Sequence, residues 1–212
     1  MKPIAPVKRS KEQARQYYNR ISGIYDWLTS SEKALIEKGV KALSPQPGET
    51  ILEIGCGPGV GLELIQDTVK GSCRLIGLDL ARKMLRESQK KSKASLVQGD
   101  GAFLPLQGQN VEAVLCSFTL ELFPEEEIPR VLDEITRVLT NNGRLVVVAL
   151  SKEEKNLAVR LYEYVHRLFP VAVDCRPIPL YQILTEQGFQ IQNERSYYNW
   201  GLPVRIITSK PV

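Results

Sequence analysis

The segment 52–59, Leu-Glu-Ile-Gly-Cys-Gly-Pro-Gly, closes an apolar run that starts at Thr50 and leads into a helical pattern from Val60. Gly55, Gly57 and Gly59 supply the positive φ values and the missing side-chain bulk that let a ligand approach a backbone closely. A second apolar run, 74–79, ends in Asp79. In nucleotide-binding α/β folds, an acid about 20 residues past such a loop accepts hydrogen bonds from ribose hydroxyls. Glu53 stands just before the first glycine, and Pro58 removes one amide from the turn. A dinucleotide loop needs its amides for a pyrophosphate. A carboxylate and a lost donor suit an ammonium-bearing ligand better.

The elements that must carry this loop come in regular alternation. Helical patterns cover 12–24 and 31–43, and Ser44-Pro45-Gln46-Pro47-Gly48 separates them from the first strand. Strands are expected at 50–54, 74–79, 95–98 and 111–116, with helices at 60–67 and 81–89 between the first three. A helix over 125–139 opens on an acidic turn that complements its dipole. Asn141-Asn142-Gly143 reads as a turn before a nearly all-apolar strand at 144–150, the pattern of a central parallel strand. Beyond it come a long helix over 153–169, a proline-rich break to 179 and a short helix to 187. Two final strands, 189–197 and 204–208, are expected to form a hairpin around Gly201-Leu202-Pro203.

Composition sets the frame. A chain of 212 residues with 43% hydrophobic and 25% charged content is expected to fold as one globular α/β unit. The N-terminus lacks a signal-peptide hydrophobic core, and no apolar run approaches the ~20 residues that span a bilayer. Four scattered cysteines without a Cys-x-x-Cys pair point to neither a metal site nor a disulfide framework. A cytoplasmic setting is therefore expected. The net charge of +4 is uneven, with basic clusters at Lys2, Lys8, Arg9, Lys11, Arg15 and Arg20 and again at Arg82, Lys83, Arg86, Lys90, Lys91 and Lys93. These read either as solvated helix faces or as attraction to an anionic membrane or nucleic acid.

The loop 52–59 resembles the first motif of the class I S-adenosylmethionine (SAM) dependent methyltransferases, which runs hydrophobic pair, acid, hydrophobic residue, Gly-x-Gly-x-Gly. The resemblance implies a Rossmann-like, seven-stranded, mostly parallel sheet with helices on both faces and an antiparallel last strand. It also implies SAM as cofactor, with Glu53 toward the amino end of the ligand, Asp79 on the ribose, and Leu80 and Met84 beside it. Gly55, Cys56, Gly57, Pro58 and Gly59 would form the loop around it. Gly99-Asp100-Gly101-Ala102 resembles the segment that meets the adenine, although an Asx turn at a strand end would also explain Asp100. Ser117 and Phe118 follow the fourth strand, where the family's ligand methyl faces the substrate.

Residues 17–26, Tyr-Tyr-Asn-Arg-Ile-Ser-Gly-Ile-Tyr-Asp, resemble the N-terminal segment of the ubiquinone/menaquinone C-methyltransferases and their small-molecule relatives. There Tyr25 would close over the methionine end of the ligand. This implies a small or lipid-like acceptor, with a prenylated quinol as one candidate. Residues 1–44 would then be a helical lid, and 45–212 a SAM-binding domain with a cap inserted at about 151–179. One departure is Thr119-Leu120-Glu121, where relatives often carry a histidine. A base is needed only if the acceptor must lose a proton; His166, Glu121, Asp174 and Tyr25 are the candidates, and Cys175 could line the pocket. N- or O-methylation, a nucleic-acid methyltransferase and a non-catalytic SAM-binding protein remain alternatives. The Asn/Asp-Pro-Pro-aromatic motif usual for exocyclic amines is absent from 116–123, which disfavours nucleic acid.

Overall fold

In the computed structural model, which describes residues 4, 6, 7, 9–22, 31–152, 159, 162, 164 and 175–212, the glycine loop follows the carboxyl end of an interior strand of a seven-stranded sheet. The strands are β1 (Thr50–Ile54), β2 (Arg74–Asp79), β3 (Ser95–Gln98), β4 (Val111–Ser117), β5 (Leu139–Leu150), β6 (Phe189–Asn199) and β7 (Leu202–Pro211). Their order is β3-β2-β1-β4-β5-β7-β6, with β7 antiparallel to both neighbours and the other pairs parallel. The order reverses beside β1, so β1 and β4 open a crevice at their carboxyl ends. Ligands of open α/β sheets bind at such a switch point.

The alternation of side chains along each strand feeds two cores. Leu52, Ile54, Val114, Cys116, Val147 and Ala149 pack on one face with α5 (Ile128–Val138) and α6 (Leu180–Glu186). Ile51, Leu115, Val146 and Val148 pack on the other with α2 (Lys33–Leu43) and α3 (Val60–Thr68). Also described in full are α1 (Lys11–Ile21), capped by Ser10 and Gln13 in a reciprocal capping box, and α4 (Arg82–Ser88).

α2 runs antiparallel to the central strands, and its carboxyl end is tied to β5. Arg144 at the amino end of the apolar part of β5 donates to the carbonyls of Leu43 at 2.6 Å and Ser44 at 3.0 Å while pairing with Glu49. These bonds satisfy helix-end carbonyls that would otherwise lack partners. The amino end of α2 therefore lies at the carboxyl ends of the strands, over the crevice. Gly39 permits the close approach: a Cβ there would meet Val148 Cγ2 at 2.6 Å.

Several boundaries differ from the sequence expectation. The helix expected over 125–139 begins at Ile128, after a 3₁₀ turn at Glu125–Glu127, because Pro129 is tolerated only in a first helical turn. The turn expected at Asn141-Asn142-Gly143 is instead a bulge inside β5. Its register passes from Val111↔Leu139 to Ala113↔Arg144. β6 and β7 are longer than expected and pair to Asn199↔Leu202, so the hairpin turns on Trp200-Gly201, with φ of 52° and 78°. Positive φ at both central residues is the two-residue type I′ geometry, whose twist matches the strands. Most of the expected cap, 153–158 and 165–174 among it, lies outside the described residues. Val159, Tyr162 and Tyr164 are helical, and Tyr162 donates to the Cys175 carbonyl at 2.9 Å.

Gly39→Val would force α2 off the sheet. Overpacking of this kind costs about 1–3 kcal/mol, so urea denaturation of the variant should show a lower midpoint with an unchanged slope.

Candidate functional site

The loop after β1 is held by its neighbours on the sheet. The amides of Gly55 and Cys56 both donate to the Leu78 carbonyl, at 2.8 and 3.0 Å. Asp79 closes the clasp by accepting from Gly57 N at 2.8 Å and Ala81 N at 2.7 Å, one on each carboxylate oxygen. Burial raises Asp79 to about 6, and the two amide bonds oppose that rise. Gly55, Gly57 and Gly59 all adopt positive φ. A Cβ on Gly57 would meet nothing within 4 Å, so its missing side chain leaves open space above the loop. Gly59 serves a different need: a Cβ there would strike Ser88 Oγ at 2.4 Å, so this glycine lets the amino end of α3 pack on α4.

Glu53 lies beneath the loop with 1% of its surface exposed. Ser117 Oγ donates to its Oε1 at 3.3 Å, while Oε2 is buried without a hydrogen-bond partner. Burial is the main cause that raises Glu53 to about 8; the bonds from Ser117 and from the Leu62 amide oppose it, and the Asp79 charge adds to it. A buried carboxyl with an orphaned oxygen is costly unless a donor or cation completes it. Beside it, Phe118 is held at φ 48°, an outlier for a bulky side chain, by a 2.7 Å bond from its amide to the Val148 carbonyl.

One cavity joins these groups. Its described lining includes Glu53, Gly55, Cys56, Gly57, Pro58, Asp79, Leu80, Met84, Gly99, Asp100, Gly101, Ser117 and Phe118, all expected from the sequence. Four other expected residues do not line it; one of them, Cys175, packs partly buried against the core on the α2–α3 face of the sheet. Gly59 packs on Ser88, and Ala102 is buried behind Asp100, to whose Oδ1 its amide donates at 3.0 Å. Glu121 is fully buried and accepts from Leu150 N at 3.2 Å, which ties the end of β5. Burial, more than the nearby Glu32 charge, raises Glu121 to about 8. Tyr25, His166 and Asp174 lie outside the described residues.

Tyr18, in the aromatic N-terminal segment that the sequence marks as a lid, also lines the cavity, whereas the other lining residues carried no sequence signal for this role: Val7, Ala14, Ile36, Leu122, Phe123 and Pro124 are apolar, and Glu32, Arg9 and Lys11 add charge. Lys11 bridges Asp100 and Glu127, the latter at 2.7 Å, and so fastens α1 at the cavity rim. Burial lowers the pKa of Lys11, but its bonds to Asp100 and Glu127 outweigh that and leave it raised. Tyr17 turns instead to Arg9, whose guanidinium lies 3.7 Å from its ring centroid. Arg176, fully buried, donates from Nε to the Glu121 carbonyl at 3.0 Å and from Nη2 to that of Phe123, which holds the loop after β4 against the cavity. The basic residue between Cys175 and Pro177 was visible in the sequence, but its partners were not.

The geometry fits SAM. The orphaned Glu53 oxygen can take an ammonium, the Asp79 clasp presents its carboxylate at the second strand, and the space over Gly57 admits ligand atoms. The described residues contain no cluster of His, Cys, Asp and Glu that could hold a metal ion.

Comparison with known proteins gives the same class of cofactor. A methyltransferase domain family matches residues 51–143. A demethylmenaquinone methyltransferase of Corynebacterium kroppenstedtii is 30% identical over 169 residues, covering 77% of this chain and 71% of that protein. An uncharacterized 37.1 kDa protein of transposon TN4556 in Streptomyces fradiae is 32% identical over 129 residues, but the match spans 58% of this chain and 36% of that one. Among solved structures, magnesium protoporphyrin IX methyltransferase of Synechocystis PCC 6803 with bound SAH shares the fold, with a TM-score of 0.76 at 19% identity over 96% of this chain and 100% of the other. The chain belongs to the class I SAM-dependent methyltransferases. Its cofactor is SAM.

The raised pKa of Glu53 makes a signed prediction. Near pH 7 the free protein holds this carboxyl largely protonated, and an ammonium ligand favours the carboxylate. SAM binding at pH 7 should release up to about one proton per ligand, read by calorimetry in buffers of different ionisation heat. Affinity should rise from pH 6 to 8, and Glu53→Gln should remove most of the release. Stability of the free protein runs the other way: the contributions of Glu53 and Glu121 are fully present below their ordinary pKa near 4.5 and are lost as pH rises through about 8. Melting temperature without ligand should fall across that window.

Proposed function

We propose that this chain transfers the methyl group of SAM to a small, largely apolar acceptor, with a prenylated quinol as the leading candidate. The observation that carries the reading is a single cavity lined by both kinds of group: the carboxyls of Glu53, Asp79 and Asp100, and the apolar or aromatic side chains of Ala14, Tyr18, Ile36, Phe118, Leu122 and Phe123. Apolar lining with a few convergent polar groups is what a small-molecule site requires. The demethylmenaquinone methyltransferase relative supports the quinol.

Bound SAM supplies a methyl carbon made electrophilic by its positively charged sulfur. The protein's own share is alignment and exclusion of water, and orientation alone is worth up to about 7–11 kcal/mol in favourable cases. Glu53 holds the amino end, Asp79 the ribose hydroxyls, and Asp100 with Gly101 the adenine. Ser117 and Phe118 form the wall toward the acceptor. Glu32, at the N-cap of α2 and lining the cavity, is the carboxylate we assign to accept a hydroxyl proton from the acceptor. Glu121 is set aside for that role because its carboxyl is buried behind the cavity wall. Of residues 1–44, the part through α1 acts as a lid with Lys11 as its latch, while α2 belongs to the core on the sheet.

Incubation with methyl-labelled SAM and a membrane lipid extract should place label in the organic phase. Glu32→Gln should lower kcat by about 10²–10⁴-fold, the usual share of a general base, with SAM affinity unchanged. Label found only in nucleic acid, or no turnover with any extract despite tight SAM binding, would overturn the acceptor reading.

A further inference from the structure

The β6–β7 hairpin ends in a residue that its turn geometry disfavours. Type I′ turns select Asn-Gly or Asp-Gly because both central residues need positive φ. Here Trp200 takes the first position at φ 52°. It is 86% exposed, and Tyr198, one residue before the end of β6, is 61% exposed. A large ring held in a strained backbone and left in water gains nothing for the fold.

Its place in the molecule gives it a use. β7 pairs antiparallel with β5 from Leu150↔Val204, and Ser151 N donates to the Pro203 carbonyl at 2.8 Å. The turn therefore projects past the carboxyl end of β5, by roughly 7–10 Å at strand rise. That is the end of the sheet where the cavity opens. Asn199 Nδ2 lies 3.4 Å from Ser31 Oγ, which joins the hairpin to the residue before the cavity-lining Glu32.

Charge at this end is favourable for one partner. Lys33 is exposed at the start of α2, and the exposed Lys38 stands 5.0 Å from the Tyr197 ring centroid. Arg82 and Lys83 are exposed at the start of α4, which follows the carboxyl end of β2, and Arg20 is exposed at the end of α1. Of the acids in the same region, Glu125 and Glu126 lie in the field of Arg176. Tryptophan and tyrosine favour the lipid–water boundary, where an apolar body meets a polar tip, and lysine and arginine are drawn to anionic headgroups. No helix among the described residues is long and apolar enough to cross a membrane, so attachment through this face would be peripheral.

We propose that the Trp200 hairpin tip inserts into the headgroup boundary of an anionic bilayer and seats the cavity mouth on the membrane. An apolar acceptor would then enter from the lipid rather than through water. The last step rests on the acceptor reading above; attachment itself does not.

Vesicle binding without any acceptor separates the two. In a Trp27→Phe background, Trp200 is the one tryptophan of the chain. Its emission should shift to the blue on adding vesicles of phosphatidylcholine with phosphatidylglycerol, and brominated lipid should quench it. Trp200→Asn restores the favoured Asn-Gly turn, so its melting temperature should equal or exceed that of the parent while co-flotation falls about tenfold, as loss of one buried ring predicts. Turnover of a detergent-dispersed acceptor should be unchanged. Unshifted emission, or equal flotation of parent and variant, would overturn the proposal, as would sedimentation showing that Trp200 instead joins two copies of the chain. Binding by Trp200 with no methylated lipid product would leave the attachment standing and remove the acceptor reading.

Discussion

A carboxyl group buried at the end of the first strand sets the terms for the rest of the site. Glu53 has one oxygen facing Ser117 and the other without a partner. Its burial raises it to about 8, which keeps it largely neutral near pH 7. Its buried, apolar strand neighbours are the source of that burial, and the loop above is pinned twice, through the Leu78 carbonyl and through Asp79. Gly61 is part of the same arrangement: a Cβ there would stand 2.2 Å from Glu53 Oε1. Sheet, loop and helix are thus packed around a group whose free oxygen is left for a donor or a cation to complete. Perturbed acids in a cleft are where binding and catalysis concentrate.

The cofactor half of the site was legible because it is local. Strand, glycine loop, helix and acid-tipped strand occupy one continuous segment, and each glycine answers to a backbone need that a single sequence displays. The strands themselves were legible for a related reason: near-continuous apolar runs mark central parallel strands, and alternating ones mark the closing hairpin; the antiparallel last strand was implied by the family resemblance, and the strand order came from the structure. Errors fell where tertiary packing overrides local signal. Asn141-Asn142-Gly143 has turn composition, yet pairing on both sides keeps it within β5 as a bulge. The acidic stretch at 125–127 looks like a helix start, but Pro129 delays the helix to Ile128.

The apolar lining that we propose for the acceptor was much less visible, since its residues are gathered from distant segments by packing alone. Ile36 and Glu32 reach the cavity because Arg144 ties the opposite end of α2. Leu122 and Phe123 are held there by Arg176, which lies more than fifty positions further along the chain. No spacing rule predicts such meetings. Glu121 shows the converse, because a carboxylate in a suggestive position is used to cap the Leu150 amide. The same loop that carries the cavity wall therefore also carries a structural acid, and only geometry separates the two roles.

The sharpest check on SAM recognition by this loop is calorimetric titration of SAM and of NAD into the wild-type chain and Gly57→Val. A Cβ on Gly57 meets no protein atom within 4 Å, so the variant takes up the ligand's space rather than the protein's. Its φ of 50° strains a valine, so folding is followed separately by circular dichroism. Wild type should bind SAM and not NAD, and Gly57→Val should stay folded and lose SAM binding. Tighter binding of NAD, or unchanged SAM affinity in a folded Gly57→Val, would contradict that assignment.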